Sequence, residues 1–468
     1  MSETAQKFKQ LQEGAVQMRQ STAADRNGLL KKLWESLVDH QDAIYDAAKK
    51  ERNSHKLDAA AELMMIKSEI DFISKNLKKW VKPKKVPNSM ATMGKRCEIR
   101  YDPKGVVLNL SAWNAQIAEC FIPAIAAIAA GNTVAIKPSE LAPHSAQVVE
   151  NIVNEVFSAD QVAVFQGDAA IAQELLALPF NHIYYTGGYT VGAIVMKAAA
   201  DHFASVTLEM GGKSPVIIDS SANIDDTATK LSWGRVMNAG QVCIAPEYVV
   251  AHESVAEELV ETLKVKMTEQ YNAEQTGFEN SPNMNCIINE RHMQRIVGLI
   301  DDALEKGATL AFGGKNFPEK RIIEPTILTN VTEDMRIMQE EVFGPVLAVM
   351  TFKERDELPG IIANRPNPLA YYVYATDKSA IDYFLSICNS GSAVVNNNCI
   401  QSGTNPHLPF GGTGASGMGR IGGFRGFEEL SNARSVVIQP LDRFRNFLIN
   451  LPPYSKRYEG LIMGAIKK

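Results

Sequence analysis

The sequence predicts an α/β fold built on a doubly wound parallel sheet. Two observations carry that expectation. Between Val106 and Leu208, short β-branched runs alternate with stretches of helical periodicity, and a second alternating set follows the turn Glu209-Met210-Gly211-Gly212-Lys213. A chain of 468 residues with 45% apolar content is also long enough to bury more than one core.

Taken in order, Ser21 or Thr22 caps a helix whose apolar residues Leu29, Leu30, Leu33, Leu37 and Ile44 keep helical spacing. A second helix carries Leu63, Ile66, Ile70, Ile73 and Leu77 and stops before Pro83. Lys82-Pro83-Lys84-Lys85-Val86-Pro87 is a boundary, because two prolines interrupt helix and strand alike. Arg96 to Tyr101 alternates as an exposed strand does, and Asp102-Pro103-Lys104-Gly105 turns the chain into Val106-Leu110. Strand-like runs then fall at Thr133–Ile136, Val162–Phe165, His182–Tyr185 and Val206–Leu208. Helical patterns fall at Ala115–Ala129, Ser145–Phe157, Ala170–Leu178 and Gly192–Ala204.

The second set holds the strands Val216–Ile218, Tyr248–Val250 and Val346–Ala348, with helices near Thr227–Asn238, Val255–Tyr271 and Glu290–Lys306. Two adjacent α/β units fit a cleft between them. The glycine-rich stretch Ser402 to Gly426 suits backbone folded close to a ligand or another segment.

Composition narrows the class of protein. A net charge of −5 argues against a nucleic-acid binder. Six cysteines are scattered without a disulfide framework, and the polar N-terminus carries no secretion signal, so a reducing, cytoplasmic setting is expected. The longest apolar run, around Phe121 to Ala130, is too short to cross a bilayer, so no integral membrane segment is expected.

The chemistry centres on Gly240-Gln241-Val242-Cys243-Ile244-Ala245-Pro246, where small neighbours leave one sulfur uncovered. No metal-ligand spacing lies nearby, so no metal is expected, and a buried structural thiol is the competing account. A thiolate attacks a carbonyl carbon well, but the oxyanion it creates needs preorganised donors. Asn114 follows a strand and precedes a helix, so its amide can project into a cleft; the alternative is a plain helix cap. Glu209 ends an apolar strand, where a desolvated carboxylate becomes able to take a proton from water near neutral pH. A salt bridge to Lys213 is the simpler account.

Gly187-Gly188-Tyr189-Thr190-Val191-Gly192 follows a strand and opens a helix, a place that favours a pyrophosphate. Lys137 and Glu140 end another strand, where they suit ribose hydroxyls. A carboxylate there repels a 2′-phosphate, which favours NAD over NADP. Glu341 suits a second ribose and Phe343 the flank of a nicotinamide ring, with surface charge and core packing as the alternatives.

These pieces, read jointly, resemble the aldehyde dehydrogenase superfamily over nearly the whole chain. The resemblance rests on Trp113-Asn114, Ile136-Lys137-Pro138-Ser139-Glu140, Tyr185-Thr186-Gly187-Gly188, Leu208-Glu209-Met210-Gly211-Gly212-Lys213, Gly240-Gln241-Val242-Cys243, Glu341-Val342-Phe343-Gly344-Pro345 and Leu408-Pro409-Phe410-Gly411-Gly412. The N-terminus and the Leu451-Pro452-Pro453-Tyr454 ending resemble the class 3 branch, which handles fatty and aromatic aldehydes.

The resemblance implies a Rossmann-type NAD-binding domain (1–82 and 106–209), a catalytic domain (210–405), a small β oligomerisation element (83–105 and 427–442) and a tail (443–468). It implies NAD(P)-dependent oxidation of a small-molecule aldehyde through a thiohemiacetal and a thioester, in a homodimer, with NAD as cofactor and NADP as the alternative. Cys243 matches the nucleophile, Asn114 an oxyanion donor and Glu209 the base. Lys137 and Glu140 match the adenosine-ribose contacts, Gly187 and Gly192 the pyrophosphate turn, and Glu341 and Phe343 the nicotinamide side. A CoA-acylating relative and a non-catalytic binding protein on the same fold are the alternatives, and the presence of Cys243, Asn114 and Glu209 speaks against both.

The chain departs from the family pattern at Ala112-Trp113-Asn114-Ala115-Gln116, which lacks the usual prolines and aromatic residue. Ala115 and Glu119 lie four apart on one helix face, which is expected to widen the substrate tunnel and make it more polar. Gly188-Tyr189 stands where a small hydroxyl residue is usual. Cys399 is expected to be loop packing, and the basic tail to form a helix packed near the substrate entrance.

Overall fold

The computed structural model describes residues 2–401, 405–441 and 452–467. Two main sheets carry the architecture. The first has six strands, with Val106–Leu110 at its centre flanked by His182–Gly187 on one side and Thr133–Lys137 on the other. Val162–Val164 closes one edge; Ser205–Met210 and then the short strand Gly417–Met418 close the other. All pairings are parallel except the last, in which Gly417 faces Glu209. This is the doubly wound order, and its reversal point falls between Val106–Leu110 and His182–Gly187.

The second sheet has seven strands in the order Thr309–Phe312, Thr326–Thr329, Val346–Phe352, Tyr248–His252, Pro215–Ile218, Ala370–Tyr374 and Ser392–Val395. Only its first pair is antiparallel. Both sheets are covered on their faces by helices, so their strands read as continuous apolar runs; Ala370–Tyr374 is wholly buried.

The N-terminal region differs from the sequence expectation. Leu29 to Ile44 is two helices, Ala23–Asp39 and Gln41–Arg52, parted at His40. Thr22 caps the first of them in a capping box with Asp25, while Ser21 ends a helix over Glu3–Gln20 that the sequence reading left out. That helix buries Phe8 and Leu11 against the first sheet, and the Leu11 carbonyl accepts the Thr133 hydroxyl.

Arg96–Pro103 pairs antiparallel with Ser431–Ile438 over eight residues, forming a ribbon with Lys84–Lys85. Residues 427 to 429, assigned to this element from sequence, instead finish the helix Gly423–Glu429, with Phe427 in the core. The tail expectation falls partly on 442–451, outside the described residues. Lys456–Ile466 is helical, and its described side chains are exposed. No helix among the described residues is long and apolar enough to cross a membrane.

Candidate active site

Four parallel strands of the first sheet end on the same side, and their carboxyl ends with the loops that leave them carry Asn114, Glu140, Gly187-Gly188 and Glu209-Gly211. Facing them from the second unit are the turn Gly240–Cys243 and the turn Glu341–Gly344. Between them lies a cavity of about 230 Å³ whose walls include Asn114, Gly187, Glu209, Cys243, Glu341 and Phe343. Lys137, Glu140 and Gly192 lie outside that wall.

The cysteine loop owes its shape to three successive left-handed residues, Asn238, Ala239 and Gly240. At Gly240 (φ 72°) a Cβ would stand 2.3 Å from the Gly344 carbonyl, so the turn requires glycine and brings the Phe343 turn against the cysteine loop. Gln241, fully buried, gives its amide hydrogens to the carbonyls of Asn238 and Cys286 and accepts from the Ile288 amide. Cys243 follows, half-buried, with its thiol open to the cavity.

Asn114 does not cap the helix Gln116–Ala130; Ala115 holds that position, with no side-chain bond. Instead Asn114 Nδ2 donates to the Gln241 carbonyl at 3.1 Å, and Asn238 donates back to the Asn114 carbonyl. One amide hydrogen of Asn114 is thereby spent on fixing it to the cysteine loop, and the second remains for the cavity. The uncapped helix start is held from elsewhere. Glu62 accepts from the Ile117 and Ala118 amides at 3.1 Å each, and its partner Arg52 donates to the Trp113 carbonyl at 2.7 Å.

Glu209 is buried, and neither of its oxygens meets a nitrogen or oxygen partner among the described residues. The simpler account from sequence, a bond to Lys213, is wrong: Lys213 pairs with Glu247 at 2.7 Å, and Glu247 also takes Arg235 and the Val342 amide. Burial first, then the charges of Glu119 and Glu341, push the Glu209 carboxyl up to about 8, partly offset by the Cys243 thiol. Burial and the same three carboxyl groups raise the Cys243 thiol well above its usual range.

On the cofactor side, Gly188 starts the helix Tyr189–Asp201 with no side-chain cap, and space is open around it. Its free first-turn amides suit a pyrophosphate. Gly192 is buried one turn on, where its missing side chain admits Met210 of the neighbouring strand. Lys137, buried, reaches the exposed Glu140 at 2.6 Å at the end of its strand. Glu341 accepts from the Gly212 amide at 3.2 Å and is pushed up to about 7, chiefly by burial. Phe343 stands edge-on to Trp113 with ring centres 5.6 Å apart. These residues fit a dinucleotide lying from Glu140 across Gly188 to Phe343.

Sequence reasoning missed three cavity residues. Thr186 and His292 line it, and Arg295 donates to the carbonyls of Glu341 and Val342, holding the Phe343 turn. His292 and Arg295 sit on an ordinary amphipathic helix, Glu290–Glu305, and no local pattern marks them. Cys399 is loop packing, as expected, beside Tyr372 and the Ile244 carbonyl.

The model of the aldehyde dehydrogenase family matches residues 2–436. The chain belongs to that family. A curated relative, the 4,4′-diaponeurosporen-aldehyde dehydrogenase of Staphylococcus aureus, is 37% identical over 435 residues, 93% of each chain. Aldehyde dehydrogenase family 3 member A2 of Macaca fascicularis is 38% identical, covering 88% of this chain and 82% of its own. The substrate-bound structure of Staphylococcus aureus AldH superposes with a TM-score of 0.94 at 35% identity, covering all of both chains. This aldehyde dehydrogenase is therefore of the class 3-like branch and oxidises aldehydes with NAD(P). The comparisons give no support to the CoA-acylating or non-catalytic alternatives.

Proposed function

We propose that this aldehyde dehydrogenase converts its substrate to the carboxylic acid through a covalent bond to Cys243. The observation that carries the reading is the meeting of Cys243, Asn114 and Glu209, from three distant segments, around one cavity. Cys243 attacks the aldehyde carbon. Because the thiol is held protonated at rest, its proton must leave as the C–S bond forms, and Glu209 is the neighbouring acceptor. The free hydrogen of Asn114 and the Cys243 amide bind the oxyanion.

A bound nicotinamide would supply the hydride acceptor that oxidation of the thiohemiacetal to a thioester requires. Glu341 and Phe343 would orient that ring, Gly187 and Gly188 would cradle the pyrophosphate with Gly192 closing the helix onto its strand, and Lys137 with Glu140 would hold the far ribose. Once it has passed the thiol's proton on to solvent, Glu209 takes a proton from water as that water adds to the thioester, and gives it to the departing Cys243 sulfur. The C–S bond breaks, and the acid leaves. An unpaired carboxylate beside the sulfur favours water over CoA as the acceptor.

The exposed apolar edge of the ribbon at Val437 and Ile438 supports a homodimer. Scattered free cysteines support a cytoplasmic setting. A panel of straight-chain, aromatic and polyene aldehydes with NAD and NADP, read by cofactor absorbance, tests the reading. Turnover should vanish in Cys243→Ala with the fold intact. Substantial turnover in that variant would overturn it.

A further inference from the structure

One carboxylate behind the cavity wall, that of Glu119, bonds the lining residue Thr186 and has no part in the chemistry of Cys243 so far described. Glu119 departs from the family pattern on the helix Gln116–Ala130, and the backbone around it is unusually tethered. Pro123 lacks the amide hydrogen that would bond the Glu119 carbonyl. Asn109 Nδ2, at 3.0 Å, and Ser111 Oγ, at 3.2 Å, donate to that carbonyl instead. The side chain points the other way, to the first sheet, where Thr186 donates its hydroxyl to Glu119 Oε2 at 2.8 Å.

Thr186 and Glu209 are partners in register on adjacent parallel strands. Their side chains leave the same face of the sheet with backbones about 4.8 Å apart. Glu119 and Glu209 thus flank a single threonine, which bonds one and leaves both oxygens of the other without a nitrogen or oxygen partner. We infer that Glu119 and Glu209 form a coupled carboxylate pair that keeps one proton between them in the resting enzyme, with Glu119 the positioning member. The inference rests on the base role proposed for Glu209.

Every charged or titratable neighbour fits this arrangement. Glu119 meets Glu62, itself bound to Arg52; Glu209 meets Glu341 and Cys243; Tyr184 and Tyr185 lie alongside, and burial keeps both neutral. Arg295 is bonded to the Glu341 and Val342 carbonyls, and Lys213 to Glu247. No cation stands between the two carboxylates among the described residues. With like charges side by side, the first to ionise holds back the second. Glu119 therefore delays Glu209 from becoming a base until the pH is higher, or until its neighbour takes the proton.

The test follows hydrolysis of a preformed acetyl-enzyme, made with substoichiometric 4-nitrophenyl acetate. Acetyl on Cys243 is quantified by mass spectrometry after quenching across a pH series. Each event consumes one water and returns acetate and the free thiol. In Glu119→Gln the acid limb should move down by about one pH unit, roughly a tenfold faster loss below the wild-type midpoint. Glu119→Asp, which keeps the charge, should restore the wild-type limb.

An unmoved limb in Glu119→Gln overturns the inference. Coupling is reciprocal, so in Glu209→Gln the infrared band of protonated carboxyl groups should titrate at lower pH than in wild type. An unchanged titration also overturns it, without relying on the folding of Glu119→Gln. Should Glu209→Gln still lose acetyl along the wild-type limb, the base assignment itself fails. Should hydrolysis vanish there while the Glu119→Gln limb stays put, the base stands and the pairing falls.

Discussion

Thr186 and Glu209 are register partners on adjacent strands, yet the threonine gives its hydrogen to Glu119 rather than to the carboxylate beside it. Glu209 is left buried, unbonded by nitrogen or oxygen, and next to the thiol. A stabilising fold would have paired such a group, since burying an unpartnered carboxylate costs free energy. The site tolerates that cost because the carboxyl spends much of its time neutral.

Stability should reflect these groups. Glu69, Glu119 and Glu341 are each pushed up to about 7 and Glu209 to about 8, from an ordinary 4.5, with burial the first cause in every case. The folded chain holds protons that the unfolded chain releases. The stability they contribute is therefore fully present below about pH 4.5 and lost as pH rises through about 7 to 8. Urea unfolding midpoints should fall between about pH 6 and about pH 9, and Glu69→Gln should fall less steeply. A flat or rising profile through that window would contradict the assignment.

The Asn114 loop should be sensitive to residues far from the chemistry. Arg52 and Glu62 form a buried pair at 3.4 Å that holds the Trp113 carbonyl and the first amides of the following helix. Removing one partner leaves a buried charge, so Arg52→Ala should destabilise by about 3–5 kcal/mol and lower kcat as Asn114 shifts. Calorimetry and steady-state kinetics check both. An Arg52→Ala enzyme with wild-type kcat would show that the pair is structural only.

The ribbon edge offers a separate test. Val437 and Ile438 are 55% and 40% exposed on an eight-residue strand whose neighbour is Arg96–Pro103. Exposed apolar side chains on a sheet edge mark an association surface. The double substitution Val437→Asp with Ile438→Asp should halve the mass seen by light scattering. An unchanged mass would move the interface elsewhere.

Much of this was legible in the sequence because the central strands of the parallel sheets are buried on both faces and read as short apolar runs. Thr133–Lys137 and His182–Gly187 emerged within two residues of their ends for that reason. Asn114, Glu209 and Cys243 stood out because each interrupts an apolar or small-residue context. What escaped notice depends on contacts distant in sequence. His292 and Arg295 reach the cavity only because their helix packs against the Glu341 turn. The bond from Thr186 to Glu119 spans 67 positions and is set by how a helix crosses a sheet. The N-terminal helix is hard to see in the sequence because Ser2 to Gln12 shows few apolar residues, although Phe8, Leu11 and Met18 dock it on the core.

The central claim is that the aldehyde carbon becomes bonded to Cys243 and that Glu209 drives its release. Glu209→Gln enzyme held with aldehyde and NAD until NADH formation levels off, then quenched and digested, should yield the peptide holding Cys243 with the mass of one acyl group, accumulating to nearly one per active subunit. Acyl mass on Cys286 or Cys399 instead, or none on any cysteine while NADH forms, would contradict the account.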